Sequence, residues 1–303
     1  MDITILQPQE NGRFDYTDIV KDDVVIIPAF GVPVTDLAEL RELGCVLIDT
    51  TCGSVLNVWK RVEKYARDGY TALIHGKHFH EESKATASQV TRYEDGRYII
   101  VRDMSETEMV CDAIENKGAS RDLERHFAKA TSPGFSAEQH LTRVGVANQT
   151  TMLANESLAI AARIGESMRR RYGDAHLEEH FRSFDTICSA TQERQDAILE
   201  LIAVPPDAMI VIGGYNSSNT TNLAKICSER TPTYHIADAS CIDPERGTIS
   251  HRPVGTGSEV KVQNWLSDGV TTVGITAGAS TPNNKIGEAI ELTFRTRGIT
   301  LGE

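Results

Sequence analysis

The chain contains two cysteines that end the same kind of short motif. Cys52 ends the run Asp-Thr-Thr-Cys at residues 49–52, and Cys188 ends the run Asp-Thr-Ile-Cys at residues 185–188. Each run follows a predicted strand and precedes a segment with helical periodicity, so each sulfur should lie at the N-terminus of a helix. Backbone N–H groups and the helix dipole favour the thiolate there, and the thiolate is the form that binds metals or attacks electrophiles. Two such thiols in one chain indicate a shared site.

Polar residues also follow two strands predicted in the C-terminal half. Residues 213–221, Gly-Gly-Tyr-Asn-Ser-Ser-Asn-Thr-Thr, combine a glycine pair with hydroxyl and amide donors at the start of a helix. Such a loop can hold a phosphate against the helix N-terminus, although a capped polar turn would have a similar sequence. Ser280, in the loop at residues 276–282, could donate to the same anion. The second loop strengthens the case for an anion site.

Two further loops with reactive groups follow strands in the N-terminal half. The loop at residues 75–82 contains histidines, a lysine and two glutamates, which can bind a metal, hold an anion or relay protons. Its spacing matches no zinc signature, and a solvated loop would have a similar composition. Residues 148–151, Asn-Gln-Thr-Thr, could present a hydroxyl. Each of these motifs directly follows a predicted strand. Because so many polar motifs share this position, we interpret them as functional rather than as solvated loops.

The composition is that of an ordinary globular protein with 303 residues, 40% hydrophobic and 24% charged. The net charge of −12 argues against a nucleic-acid partner, because phosphate backbones are bound by basic surfaces. The sequence shows neither an apolar run that could span a membrane nor a signal peptide, so we expect a cytoplasmic protein with no membrane partner. Six cysteines without a CxxC pair should stay reduced.

The segments between the motifs alternate between strand and helix patterns. Helices are predicted after Cys52 with Ser54 as the cap, and from Ser105 with Glu108 completing a capping box. Residues 238–262 are rich in glycine and charge and are predicted to form a surface excursion. Repeated alternation of strand and helix indicates α/β lobes with parallel sheets, whose ligand sites lie at the C-terminal ends of the strands.

Taken together, these motifs resemble those of the 4-hydroxy-3-methylbut-2-enyl diphosphate reductase family, also called the LytB family. The resemblance covers nearly the whole chain. The matching segments, in chain order, are residues 49–52, 80–82, 148–151, 186–188, 190–195, 216–219 and 274–280. Residues 28–31 and an insertion near residues 91–141 resemble the plant and cyanobacterial branch of the family.

The resemblance implies an α/β fold of three pseudo-equivalent lobes around a central cavity, each a small, mostly parallel sheet flanked by helices. We expect an incomplete first lobe at residues 1–51, a second lobe at 52–187 with a helical insertion at about 102–141, and a third at 188–303. The resemblance also implies a 4Fe-4S cluster to which each lobe contributes one cysteine. The implied reaction is the last step of the methylerythritol phosphate pathway, in which an allylic diphosphate loses its hydroxyl by reduction. A ferredoxin or flavodoxin would donate the electrons.

The resemblance also implies roles for individual residues. Cys52 and Cys188 would be cluster ligands, Glu82 would supply the proton to the departing hydroxyl, and Thr150 would orient that hydroxyl. The residues expected to hold the diphosphate are His80, Ser217, Ser218, Asn219 and Ser280. A net-acidic protein must bind a diphosphate with a local nest of donors, which is consistent with these roles.

The chain departs from the family pattern in its first lobe. The family's first cluster cysteine lies in an N-terminal Gly-Phe-Cys segment, so we expect this third cysteine ligand to be absent from the chain. Phe30 stands where much of the family has a substrate-binding histidine, and Gly53 replaces the usual proline. Two alternatives therefore stay open. One is a diphosphate-binding homologue without redox activity, and the other is an α/β binding module whose cysteines hold another metal.

Overall fold

The computed structural model describes residues 3–9, 13–116, 121–184 and 186–301. Asp185, in the second cysteine motif, and residues 117–120 of the predicted insertion therefore lie outside the described residues. The chain forms two compact units. Unit 1 comprises Met1–Thr150 and Ala154–Ile187, and unit 2 comprises Thr151–Leu153 and Cys188–Glu303.

The described part of unit 1 contains two parallel sheets. The smaller sheet pairs β1 (Val24–Ile27) with β2 (Val46–Asp49). The larger sheet, in the order β4-β3-β5-β6, consists of β3 (Thr71–His75), β4 (Tyr98–Val101), β5 (Val144–Asn148) and β6 (Phe181–Ser183). Every residue of β3 and β5 is buried, as expected for central parallel strands covered on both faces.

The helices of unit 1 lie between and after these strands. They are α1 (Val34–Leu43), α2 (Gly53–Arg67), α3 (Glu81–Val90), α4 (Met104–Glu115), α5 (Arg121–His126), α6 (Ala137–His140), α7 (Ala154–Tyr172) and α8 (Leu177–His180). A short 3-10 turn, Asp174–His176, precedes α8. Val58 and Val62 of α2 and Ile160 and Ile164 of α7 are buried in one core with the strands of the larger sheet.

Close packing of α2 against β5 requires a glycine at position 145. A Cβ atom on Gly145 would lie 2.5 Å from carbon atoms of the Tyr65 ring. The ring cannot easily move, because Tyr65 is buried and its hydroxyl donates to the Val146 carbonyl at 2.9 Å. This contact fixes the position of α2 relative to the larger sheet.

The smaller sheet of unit 1 exposes one apolar face. Val24 pairs with Val46, and Ile26 pairs with Ile48. These four side chains are 58%, 54%, 55% and 46% exposed, respectively. Parallel sheets are usually covered on both faces, so this sheet is unusual in the described part of the chain.

Unit 2 contains a parallel and an antiparallel sheet in its described residues. The parallel sheet, in the order β12-β7-β8, consists of β7 (Ala208–Ile212), β8 (Thr233–Ile236) and β12 (Val273–Ala277). The antiparallel sheet consists of β9 (Ile242–Asp243), β10 (Thr248–His251) and β11 (Val260–Gln263). The segment predicted as a surface excursion is therefore ordered into strands. The helices of unit 2 are α9 (Ser189–Leu201), α10 (Ser218–Ser228) and α11 (Asn283–Thr296).

Two predicted helix caps are wrong, because a residue nearer the preceding strand takes the position. Cys52 itself, rather than Ser54, is the N-cap of α2. Helix α4 is capped by Asp103, whose carboxylate accepts from the Glu106 N–H at 3.0 Å. Glu108 instead forms an ion pair with Arg163 at 2.8 Å, a partner 55 residues away in the sequence.

The predicted fold class is confirmed. In the described part of the chain, parallel sheets flanked by helices are formed by β1-β2, by β4-β3-β5-β6 and by β12-β7-β8. The lobe boundaries at residues 51 and 187 stay a prediction. None of the helices among the described residues combines the length and apolar character that crossing a lipid bilayer requires.

Candidate active site

The strand exits of the larger sheet in unit 1 meet at one edge. Because β3, β5 and β6 are parallel neighbours, the residues that follow them lie side by side. The Gln149 N–H donates to the His75 carbonyl at 2.8 Å. The Thr186 hydroxyl accepts from the Asn148 N–H at 3.0 Å and lies 2.8 Å from Asn148 Oδ1. Hydrogen bonds thus connect three segments that are far apart in the sequence.

Glu82 lies at this edge, in the first turn of α3. Its side chain is buried, with only 2% of the residue exposed, and Oε1 accepts from the Thr150 N–H at 2.6 Å. Burial raises the pKa of the Glu82 carboxyl, whereas the hydrogen bonds from Thr150 lower it by a smaller amount. The balance favours a carboxyl that keeps its proton at a higher pH than an exposed glutamate does.

His80 is the N-cap of α3 and lies beside Glu82. Its Nδ1 accepts from the Glu82 N–H at 3.2 Å, which places the proton of the neutral ring on Nε2. Burial, reinforced by the charge of Lys77, lowers the pKa of His80. The ring contacts Phe30 edge to face, with 6.4 Å between ring centroids. His80 is therefore a neutral hydrogen-bond donor next to the aromatic residue that departs from the family pattern.

The prediction that both motif cysteines begin helices is confirmed. Cys52 is the N-cap of α2 and is exposed, and Cys188 is the N-cap of α9 and is half-buried. Both have extended backbone conformations, and neither side chain makes a capping hydrogen bond. Within the described residues, no three His, Cys, Asp or Glu side chains are grouped closely enough to hold a metal ion.

In unit 2 the two loops predicted to bind an anion pack against each other. Both the Gly278 N–H, at 2.9 Å, and the Thr281 hydroxyl, at 3.1 Å, donate to the Ile212 carbonyl. Cβ atoms on Gly213 and Gly278 would lie 2.7 Å and 2.2 Å from the Thr220 hydroxyl, and Gly213 has a φ of 147°. Only glycine fits at these two positions, because the buried Thr220 side chain occupies the space that a Cβ atom would need.

The amide side chain of Asn219 is the most unusual polar group of this loop. Ser217 is the N-cap of α10, and its hydroxyl accepts from the Thr220 N–H at 3.3 Å. Asn219 follows in the first turn and is only 3% exposed, yet neither Oδ1 nor Nδ2 has a hydrogen-bond partner among the described residues. Leaving a buried amide unpaired costs about 1–3 kcal/mol. The site is therefore suited to a polar ligand that supplies the missing partners.

His235 supports this loop and was not singled out from the sequence. It lies in β8 opposite Val211 of β7, and its Nε2 bonds to the Gly213 carbonyl at 3.0 Å. The Tyr215 ring packs edge to face on the His235 ring, with centroids 5.0 Å apart. A histidine followed by an apolar residue in a short strand was the available signal, but the contact of His235 with the glycine loop depends on the strand order.

The structure thus distributes the predicted site residues over two units. Unit 1 contains Cys52 and brings together His80, Glu82 and Thr150. Unit 2 contains Cys188, the buried Ser218 and Asn219, the capping Ser217 and the exposed Ser280. These features define an α/β protein with a cysteine at the start of one helix in each unit. The segments that follow its parallel strands contain a buried carboxyl in unit 1 and the candidate anion donors in unit 2.

The comparison with protein families identifies this protein more closely. The model of the LytB protein family matches residues 4–293. The chain therefore belongs to the LytB family, as its resemblance to the family predicted.

Two curated relatives show the similarity in detail. The chain is 46% identical to a 4-hydroxy-3-methylbut-2-enyl diphosphate reductase from Gloeobacter violaceus, over 99% of this chain and 71% of the relative. It is 43% identical to the chloroplastic reductase of Botryococcus braunii, over 100% of this chain and 60% of the relative. The chain therefore spans about three fifths of the length of the algal protein. A cyanobacterial and an algal relative are consistent with the predicted branch.

Two solved structures of diphosphate reductases resemble the structure of this chain. One structure, titled as the terminal enzyme of the non-mevalonate pathway, shares 27% identity and a TM-score of 0.51, with 94% of this chain and 79% of that chain covered. The reductase from Plasmodium falciparum has a TM-score of 0.63 at 19% identity, over 92% and 70% of the two chains. The second similarity supports the fold alone.

The raised pKa of Glu82 predicts a dependence of stability on pH. A carboxyl that holds its proton more tightly when folded stabilises the protein below its unfolded pKa, and this contribution disappears as the pH rises through the folded pKa. We expect the free energy of unfolding of the wild type, measured with urea, to fall relative to Glu82→Gln as the pH rises from 4.5, the ordinary glutamate value. Glu81→Gln, at a neighbouring half-buried site, should keep the wild-type dependence. A constant difference between the wild type and Glu82→Gln would contradict the assignment.

Proposed function

We propose that the chain performs the reductive dehydroxylation of 4-hydroxy-3-methylbut-2-enyl diphosphate to isopentenyl and dimethylallyl diphosphates. Two electrons and two protons enter, the allylic carbon–oxygen bond breaks, and one molecule of water leaves. The names of the curated relatives support this reaction. The reaction needs an acid for the departing hydroxyl, an anion site for the diphosphate and a source of electrons.

The observation that carries the proposal is the buried Glu82 carboxyl. Its Oε1 accepts from the Thr150 N–H at 2.6 Å, which fixes the carboxyl at the edge of the sheet. Because burial raises its pKa, Glu82 can hold its proton to a higher pH than an exposed glutamate does and give it to a hydroxyl as the carbon–oxygen bond breaks. The Thr150 hydroxyl lies on the same buried edge and orients the substrate hydroxyl toward the acid.

Most of the donors proposed for the diphosphate lie in unit 2. In unit 2, the Asn219 amide, which has no partner among the described residues, and the Ser218 hydroxyl lie in the first turn of α10. The Ser217 hydroxyl lies at the cap of this helix, and the helix dipole there favours an anion. Ser280 is the candidate donor from the neighbouring loop. In unit 1, His80 can donate from Nε2 while remaining neutral. A site of this kind binds an anion without a large positive charge, as a chain with a net charge of −12 requires.

The thiols of Cys52 and Cys188 fit an iron-sulfur cluster in donor type and in local placement. Thiolate sulfur is the usual protein ligand of such clusters. Each cysteine is the N-cap residue of a helix, but its thiol makes no capping hydrogen bond. Bound by these thiolates, a 4Fe-4S cluster would supply electrons and a Lewis-acidic iron for loss of the hydroxyl. Burial raises the pKa of Cys111 to about 11 and that of Cys227 to about 12, so these two thiols are core groups rather than ligands.

The acid role of Glu82 predicts a loss of turnover without a loss of binding. We expect Glu82→Gln to slow product formation about 100-fold or more, the usual scale of general acid catalysis, because the amide is nearly isosteric but a far weaker acid. Turnover is measured anaerobically with iron-reconstituted protein and dithionite. Substrate affinity should stay close to that of the wild type, and Glu81→Gln should behave like the wild type. Unchanged turnover would remove Glu82 from the reaction.

The unpaired amide of Asn219 predicts a loss of diphosphate affinity. We expect Asn219→Ala to weaken the binding of inorganic diphosphate about 10- to 100-fold, as lost hydrogen bonds to a charged ligand do. Asn222→Ala is the matched control on the same helix, because the Asn222 amide donates to the Thr151 carbonyl at 2.8 Å. Calorimetric titration of the iron-free protein measures both variants. Equal affinities of Asn219→Ala and the wild type would exclude Asn219 from the anion site.

A further inference from the structure

Helix α2 forms one wall of an open groove in unit 1. The groove has a volume of about 610 Å³ and is lined by one face of α2 together with Thr186 and Ile187. The opposite face of the helix presents Val58 and Val62, which are completely buried. The groove side chains therefore stand on a helix that the core holds firmly in place.

The groove is basic although the chain as a whole is acidic. Lys60, Arg61, Lys64 and Arg67 line the groove, and Glu63 is the one carboxylate among its described lining residues. The whole chain has a net charge of −12. A concentrated basic region on an acidic protein attracts an acidic partner and orients it during approach.

Two of the charged side chains at the rim already have partners. The Glu63 carboxylate accepts from the Arg92 guanidinium at 2.8 Å, so its charge is compensated outside the groove. The Arg67 guanidinium lies 3.8 Å from the Asp68 carboxylate, at the end of the helix. Neither pair removes the positive charge from the centre of the groove.

The cations at the centre of the groove are available to a partner. Arg61 is held in place, because its guanidinium lies 3.8 Å above the centre of the Phe184 ring. Lys60 and Lys64 have no ion-pair partner within the described residues. They are four residues apart on one helix and so project side by side, about 6 Å along the axis.

The groove is continuous in the chain with both motif cysteines. Cys52 is the cap of the helix that forms its wall, and the lining residue Ser54 follows two positions later. On the other wall, Ile187 lies directly before Cys188 in the sequence. A partner that occupies the groove would contact the segments that lead into both thiols.

We infer that this groove is the docking surface for an acidic one-electron carrier protein. The inference rests on the proposed function, which consumes two electrons and therefore needs two successive encounters with such a carrier. An open, basic surface suits this partner, because electron-transfer complexes are small, short-lived and guided by charge. The carrier binds through its own carboxylates, and the complex weakens as salt screens the attraction.

The test measures the binding of an acidic plant-type ferredoxin to the iron-free chain by calorimetric titration at low and high salt. The charge-reversal variant Lys60→Glu/Lys64→Glu should bind at least tenfold more weakly than the wild type at low salt. Lys225→Glu/Arg230→Glu changes the net charge by the same amount on exposed residues of unit 2, and its affinity should stay within about twofold of the wild type. The difference between the two variants should shrink at high salt.

The inference is overturned if the groove variant and the control variant bind the ferredoxin equally well. It is also overturned if the ferredoxin does not bind while a single-stranded RNA of similar charge binds in a way that depends on Lys60 and Lys64. Circular dichroism spectra of both variants confirm that they fold.

A second measurement separates the docking surface from the proposed reaction. Turnover driven by dithionite bypasses the carrier, so Lys60→Glu/Lys64→Glu should keep its dithionite rate and lose at least tenfold in the ferredoxin-driven rate. If no variant turns over with dithionite, the proposed function fails while the binding result still decides the groove. Equal loss in both assays would show that the lysines act on the reaction rather than on docking.

Discussion

The parallel pairing of β3 with β5 is the constraint on which the chemistry of unit 1 depends. The register places His75 beside Asn148, so the segments that follow these two residues leave the sheet together. Helix α3 then begins at the edge of the sheet, and its first turn brings Glu82 to the Thr150 N–H at 2.6 Å. A carboxyl in a buried place normally destabilises a protein, and this hydrogen bond offsets part of that cost while burial keeps the pKa raised.

In unit 2, parallel strand pairing also brings together the loops that follow the strands, but the buried polar group there is an amide rather than a carboxyl. Strands β7 and β12 are parallel neighbours, and the loops that follow them pack so closely that Gly213 and Gly278 leave no room for a side chain. The loop after β7 leads into α10 and buries the Asn219 amide, for which the described part of the chain offers no hydrogen-bond partner. One sheet edge therefore holds a buried carboxyl with a raised pKa, and the other holds a buried amide without a hydrogen-bond partner among the described residues. Burying either polar group costs free energy of folding, and a ligand that hydrogen-bonds to the group can recover part of that cost.

Much of the fold could be predicted because its signals are local. Short apolar runs identified β3, β5 and β7, and helical periodicity identified α2. The motif cysteines were correctly placed at helix starts, since a strand pattern precedes each and a helix pattern follows it. Helix caps were less predictable, because Asp103 and Cys52 compete with nearby serines for the cap and only the path of the chain decides between them.

Long-range features could not be predicted from the residues alone. The contact between Glu82 and Thr150 joins residues 68 positions apart, and resemblance to a family could place both near a substrate but could not give their hydrogen bond. The antiparallel sheet at β9, β10 and β11 was missed because glycines and charges conceal its short strands. The basic groove on α2 was also missed, since it forms only where one face of the helix meets the distant segment at Thr186 and Ile187.

The central claim, that this chain performs reductive dehydroxylation, is tested most directly by product analysis after anaerobic reconstitution with iron and sulfide. The protein is incubated with dithionite and 4-hydroxy-3-methylbut-2-enyl diphosphate, beside the Gloeobacter violaceus relative treated in the same way. We expect the wild type to form isopentenyl and dimethylallyl diphosphates and the Cys188→Ser variant to form neither product. A wild-type chain that binds the substrate but forms neither product, while the relative forms both, would contradict it and favour a diphosphate-binding protein without redox activity.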